Sequence, residues 1–147
     1  MINKALLKII FICSFIIGGI LGVIPLIPSF TWIAFLAVMF LVAPFIIIYL
    51  HKLKLIEDIE TEKCLTIGAI SGASAFLGFS VIYFPIAFIL NLIFKIQSFL
   101  WIKVIFMNIG FLIPMIILIA LLCGLMNTFS GFLTAYLYEY FKPRNRG

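Results

Sequence analysis

Residues 9–50 read IIFICSFIIGGILGVIPLIPSFTWIAFLAVMFLVAPFIIIYL, without a single Asp, Glu, Lys, Arg or His. A helix that crosses a bilayer needs about 20 apolar residues, rising 1.5 Å each, to cover a hydrocarbon core roughly 30 Å thick. The stretch is twice that length and is expected to hold two spans. The break between them falls at Pro25-Leu26-Ile27-Pro28-Ser29, where two prolines end one helix and Ser29 is placed to cap the next. The turn carries no charge, so it is expected in the interfacial layer rather than out in water.

Residues 64–94 and 104–138 are also free of charge. Each is too long for one straight span and too short for two, so tilt, a kink or an interfacial lead-in must absorb the excess. Pro85 is the expected kink in the first of these. In the second, Pro114 suits the first turn of a helix, so the membrane part is expected to start near Phe111, with a short interfacial segment over 95–110. The fold class that follows is an all-α integral membrane protein, one polytopic domain over residues 1–147. Four transmembrane helices, at about 9–25, 29–51, 64–94 and 111–139, form two hairpins. Lys4 and Lys8 ahead of Ile9–Ile17 resemble the start of a secretory signal. No A-x-A-like site follows, and Ile12 before Cys13 is too large for lipoprotein cleavage, so the first span is expected to stay uncleaved.

Composition agrees with the spans. The 147 residues are 66% hydrophobic and 10% charged, with a mean hydropathy of +1.37. A soluble domain has about 45–50% apolar and about 25% charged residues. Such a chain cannot cover a water-facing surface, which excludes a soluble enzyme, a secreted disulfide domain and a disordered segment. The net charge of +5 sits at the edges of the apolar blocks, which fits anionic lipid headgroups and not nucleic acid. Of the ten basic residues, Lys4, Lys8, Lys52, Lys54, Lys63, Lys142, Arg144 and Arg146 fall on one side of the four spans, and Lys95 and Lys103 on the other. By the positive-inside rule both termini are expected in the cytoplasm, with the cell membrane as location. Trp32 and Trp101 then mark the outer interface, and Tyr49, Tyr136, Tyr138 and Tyr140 the inner one.

In lipid, close packing at small residues holds helices together. Ser14, Gly18, Gly22 and Pro25 share one face of helix 1; Gly68, Ser71, Gly72, Ala75 and Gly78 share one of helix 3. Ala120, Gly124, Asn127, Thr128, Gly131 and Ala135 do the same in helix 4. Gly18, Gly22, Gly68, Gly72, Gly124 and Gly131 are the expected packing positions. Helix 2 has Phe30, Phe35, Phe40 and Phe45 in place of glycine and is expected to be more peripheral. Ser71, Ser74, Asn127 and Thr128 form a candidate polar site inside the bundle. Asn127, near the bilayer midplane, is expected to point toward Ser71 or Ser74.

Reactive chemistry is scarce. The charge-free blocks that form the spans hold no carboxylate and no basic side chain, which argues against proton-coupled transport and voltage sensing. The only histidine, His51, stands at a span edge, so neither bis-His haem ligation nor a Ser–His pair within the membrane can form. Cys13, Cys64 and Cys123 occur singly, with no C-x-x-C for zinc or thiol exchange. The loop HKLKLIEDIETEK (51–63) gathers Glu57, Asp58, Glu60 and Glu62, but without the glycine turn of a calcium loop. It reads as an amphipathic extension of helix 2, with Leu55 and Ile59 dipping toward lipid, and as the best place for a cytoplasmic partner to dock. No metal, cofactor or catalytic residue is expected.

Thr128-Phe129-Ser130-Gly131-Phe132, with Asn127 before it, resembles the Thr-Phe-Ser-x-Phe segment of small four-helix fluoride channels. That family carries the segment in its third helix and a glycine-arginine signature in its first. Here the segment lies in the last helix and helix 1 has no arginine, so no site residue is carried over. The expectation is a non-enzymatic scaffold or accessory subunit of a membrane complex, whose partners are the bilayer and another membrane protein or a second copy. The alternative is a passive channel or carrier for a neutral or lipidic solute, lined by Ser71, Ser74, Asn127, Thr128 and Ser130.

Overall fold

A computed structural model describes residues 3–56, 59–95 and 107–141 of the chain. Five helices carry the architecture: α1 (Lys4–Leu21), α2 (Thr31–Phe40), α3 (Val42–Lys52), α4 (Thr61–Phe94) and α5 (Ile109–Phe141). Three of them are long and apolar enough to cross a membrane, and a fourth crossing exists if the bent pair α2–α3 counts as one. The stretch expected as a single helix over 29–51 is therefore two helices, bent by 52° at Leu41.

Local chemistry sets several boundaries. Asn3 caps α1 by accepting a hydrogen bond from the Ala5 N–H, so the helix begins earlier than the charge-free block. Between α1 and α2 the chain makes two 3-10 turns, Ile24–Leu26 and Pro28–Phe30. Ser29 lies inside the second turn and does not cap; the N-cap of α2 is Phe30, with no side-chain bond. α4 runs unbroken through Pro85, and at 34 residues it is about 51 Å long. Lys95, in the left-handed conformation with φ 49°, ends it. Pro114 lies in the second turn of α5, which starts at Ile109. The expected interfacial segment and Trp101 lie almost entirely outside the described residues, as do Glu57 and Asp58. Helix 2 does not extend into the 51–63 loop: α3 stops at Lys52, and Ile56 and Ile59 are buried in the protein while Leu55 remains exposed. Two apolar anchors thus hold the loop against the bundle.

α4 is the central helix, with both α1 and α5 packed along it. Its small residues serve the two neighbours in succession. Along the Cys64–Ala73 portion α5 comes close: a Cβ on Gly131 would sit 2.5 Å from the Cys64 carbonyl oxygen, and one on Gly124 would sit 2.9 Å from that of Ala69. Further along, Gly18 abuts the Ala75 backbone, Gly78 abuts the Phe15 carbonyl, and a Cβ on Gly22 would lie 2.8 Å from the Phe79 oxygen. Gly68 faces the Asn127 carbonyl at the same kind of backbone-to-backbone distance. The matched pairs Gly18–Ala75 and Gly22–Phe79 make α1 and α4 parallel, whereas Gly131–Cys64 and Gly124–Ala69 make α5 antiparallel to α4. α2–α3 runs with α5, since Ala43 meets Asn127 and His51 meets Tyr138. Chain direction therefore alternates from α1 through the α2–α3 pair and α4 to α5.

The α2–α3 pair is less peripheral than its lack of glycine suggested. Ala34, Val38, Val42, Ala43, Ile46, Ile47 and Leu50 are all buried, and Phe35 meets Phe76 of α4 edge-on at 6.4 Å. Of its phenylalanines, Phe30, Phe40 and Phe45 are exposed and Phe35 is half-buried. Elsewhere the surface is inverted relative to a soluble bundle. Ile16, Ile20, Leu121, Leu125 and Phe129 face outward, while glycine, serine and Asn127 lie inside.

Glycine contacts against backbone cannot be relieved by a rotamer change. Gly18→Leu and Gly131→Leu should each lower stability by about 1–3 kcal/mol or more through overpacking. Gly110→Leu is the control, because nothing lies within 4 Å of its Cβ position. Thermal unfolding in a mild detergent checks this; equal shifts for all three would show that the close approaches do not hold the helices.

Candidate functional site

The bend at Leu41 originates in Pro44. Proline has no N–H and its ring excludes the carbonyl of the residue four before it. In this chain that carbonyl belongs to Phe40, and a continuous helix through Pro44 would leave it unpaired. The backbone instead breaks: α2 closes with the Leu41 N–H on Ala37 (2.9 Å), and α3 opens beneath Leu41 with Pro44 in its first turn, where a missing N–H does no harm.

A break in mid-helix frees further groups, and α5 supplies their partners. Asn127 is completely buried. Its side-chain Nδ2 has three carbonyl acceptors for its two N–H groups: Val38 and Met39, both at 2.8 Å, and Cys123 of its own helix at 3.0 Å, so one N–H is shared between two of them. Its Oδ1 accepts from the Ala43 N–H at 2.9 Å. In an unbroken helix the Met39 carbonyl and the Ala43 N–H would bond to each other; the carboxamide inserts between them and serves both. Only one orientation of the amide satisfies the set, because carbonyls need the NH₂ and the backbone N–H needs the oxygen. One turn further on, the Ser130 hydroxyl donates to the Phe40 carbonyl at 2.6 Å, the acceptor that Pro44 leaves without a partner. Asn127 and Ser130, three residues apart, lie on the same side of α5 and together repair the break.

Gly72 gives this plug its room. A Cβ at that position would lie 2.7 Å from both the Cβ and the Nδ2 of Asn127. The glycine stripe of α4 therefore seats a specific polar side chain as well as a helix.

The other polar residues singled out in the sequence do not join Asn127 in one site. Ser71 donates to the Gly68 carbonyl (3.1 Å), Ser74 to Ile70 (2.6 Å) and Thr128 to Gly124 (2.8 Å), each within its own helix. Asn127 points to the α2–α3 pair and not toward Ser71 or Ser74. Sequence reasoning missed Pro44, Ala43 and the Val38–Met39 carbonyls, and it placed Ser130 only as a possible pore residue. The available signal was Pro44, a proline far from either end of its span.

Two clefts flank the repaired break. One, of about 340 Å³, lies between α1 and the break, bordered by Ile17, Leu21, Leu41 and Phe45. The other, of about 490 Å³, runs between α3 and the last third of α5. At its end the Tyr138 hydroxyl is 3.2 Å from His51 Nε2, while His51 Nδ1 is buried without a partner among the described residues. Glu60 pairs with Lys63 at 3.0 Å, and no cluster of three or more His, Cys, Asp or Glu side chains occurs among the described residues. The chain matches no family model, no curated protein and no solved structure.

Removing the carboxamide should cost more than removing a hydroxyl. Asn127→Leu strands the Ala43 N–H and two carbonyls, at about 1–3 kcal/mol for each buried group that finds no new partner. An average interhelical hydrogen bond in a membrane is worth about 0.6 kcal/mol. The melting temperature of Asn127→Leu should therefore fall several times further than that of Ser71→Ala or Ser74→Ala. A shift no larger than theirs would mean that the plug is dispensable.

Proposed function

We propose that this chain is a four-span protein of the cell membrane, built as two hairpins with both termini in the cytoplasm. In this reading it acts as a non-catalytic scaffold or accessory subunit of a membrane complex. The observation that carries the reading is the use to which the mid-bundle polar groups are put. Both ends of the Asn127 carboxamide are consumed by backbone, as are the Ser71, Ser74, Thr128 and Ser130 hydroxyls. A solute path needs polar groups that face an opening; Asn127 and Ser130 instead join α5 to the α2–α3 break, and the other three hydroxyls bond back to carbonyls of their own helices. The absence of charge from residues 9–50, 64–94 and 104–138 points the same way, since proton relays and ion coupling rely on ionisable groups in the bundle. The alternation of chain direction fits the excess of Lys and Arg on one side.

The second reading, a carrier or passive channel for a neutral or lipidic solute, draws on one specific feature. Helices broken near the bilayer midplane are common at transporter binding sites, and α2–α3 is such a helix. Under that reading the plug would have to open.

Topology and role can be checked together. On a cysteine-free background, a single cysteine at position 101 should react with a membrane-impermeant maleimide in intact cells, and one at position 60 only after permeabilisation. Gentle extraction should recover the chain with a partner protein, and liposomes containing the pure chain should hold small neutral solutes as well as empty ones do. Labelling of position 60 in intact cells would overturn the orientation, and solute-selective leakage would favour the carrier.

A further inference from the structure

The groove between α3 and the end of α5 has the dimensions and chemistry of a site for part of a lipid. Its deep end is Pro44 and Ser130, at the helix break; its open end is Tyr138 and Phe141. From residue 130 to residue 141 the helix rises about 16 Å, which is half of the roughly 30 Å hydrocarbon core. On the membrane reading, with Tyr138 and Phe141 at the interface, the groove spans one leaflet and stops near the midplane. Between its ends the walls are aliphatic, with Leu133 and Leu137 on one side and Ile48 on the other, and Ile59 reaches in from the anchored loop. Three polar side chains border it, and each is already engaged: Ser130 with the Phe40 carbonyl, Thr134 with the Ser130 carbonyl and Tyr138 with His51. What remains on offer along its length is apolar surface.

The open end differs. His51 stands there against the Tyr138 hydroxyl, followed at once by the exposed Lys52. Among the described residues at this end of the bundle, Lys4, Lys8, Lys52, Lys54 and Lys63 outnumber Glu60, Glu62 and Glu139. Basic side chains just beyond a span attract anionic headgroups. We propose that the groove holds one acyl chain of an anionic glycerophospholipid from the leaflet that faces the chain termini, its phosphate lying beside the His51–Lys52 end. The proposal rests on the membrane reading above but on neither the scaffold nor the carrier role.

The test uses the full chain reconstituted in vesicles of phosphatidylglycerol and phosphatidylcholine in equal amounts. Thr134→Phe fills the groove from its wall, and Ile20→Phe, in the other flank of the bundle, is the control. Native mass spectrometry of gently extracted wild type should show one retained phosphatidylglycerol per chain. The adduct should be lost from Thr134→Phe and kept by Ile20→Phe. A phosphatidylglycerol carrying a photoreactive diazirine at its acyl terminus should label the Pro44–Ile48 and Ser130–Leu133 peptides of wild type, a readout that does not need the variant to fold. The proposal is overturned by a chain without lipid, by equal retention of phosphatidylcholine, by an unchanged adduct in Thr134→Phe, or by a lipid-free dimer occupying the groove. Resistance of the chain to alkaline extraction from membranes separates the two levels: release would sink the membrane reading itself, whereas a resistant chain with no retained lipid would sink only the groove.

Discussion

A backbone N–H or C=O that loses its helical partner inside an apolar bundle has no water to turn to, and each unsatisfied group costs several kcal/mol in hydrocarbon. Pro44 imposes this condition on the α2–α3 pair, and the arrangement of the other helices follows from how it is met. The groups freed at Leu41 face α5, where Asn127 and Ser130 stand one helical turn apart. Those side chains can serve the break only if α5 holds a fixed register and rotation against α2–α3. One carboxamide thus couples the position of the last helix to a defect in the second.

That coupling explains why α4 carries glycine where it does. Gly72 makes room for the Asn127 side chain, and Gly68 and Gly131 let the two backbones approach closely enough for it to reach past α4. Glycine stripes in membrane helices are usually discussed as packing surfaces. In this protein the stripe on α4 does two jobs along its length, seating a polar plug with α5 near its start and closing on α1 nearer its middle. A larger residue at Gly18 would disturb the second contact, and one at Gly72 would reach the helix break through Asn127.

Much of the architecture was legible in the sequence because charge is so unevenly spread. The three charge-free blocks mark the long apolar helices, and the Pro25–Ser29 turn separates α1 from α2. The small-residue positions could be read from helical periodicity, though which helix each one meets could not. The missing part was the interior of the α2–α3 pair. Its apolar run looks continuous, and hydropathy is blind to a proline surrounded by Val, Ala, Phe and Ile. The partner of Asn127 was unreadable for the same reason: it is backbone, and backbone leaves no mark in a residue pattern. Ser71 and Ser74 looked like natural partners by depth, but a serine in a helix readily bonds back to the carbonyl one turn before it, as both do here.

The most direct test of this account is the hydrogen bond at Ala43. Scalar coupling across hydrogen bonds, measured by NMR on labelled protein in micelles, identifies the acceptor of that amide. A repaired break predicts coupling from the Ala43 amide nitrogen to the side-chain carbonyl carbon of Asn127. Coupling to the backbone carbonyl carbon of Met39 would mean that α2–α3 is a continuous helix and that Asn127 does not repair it.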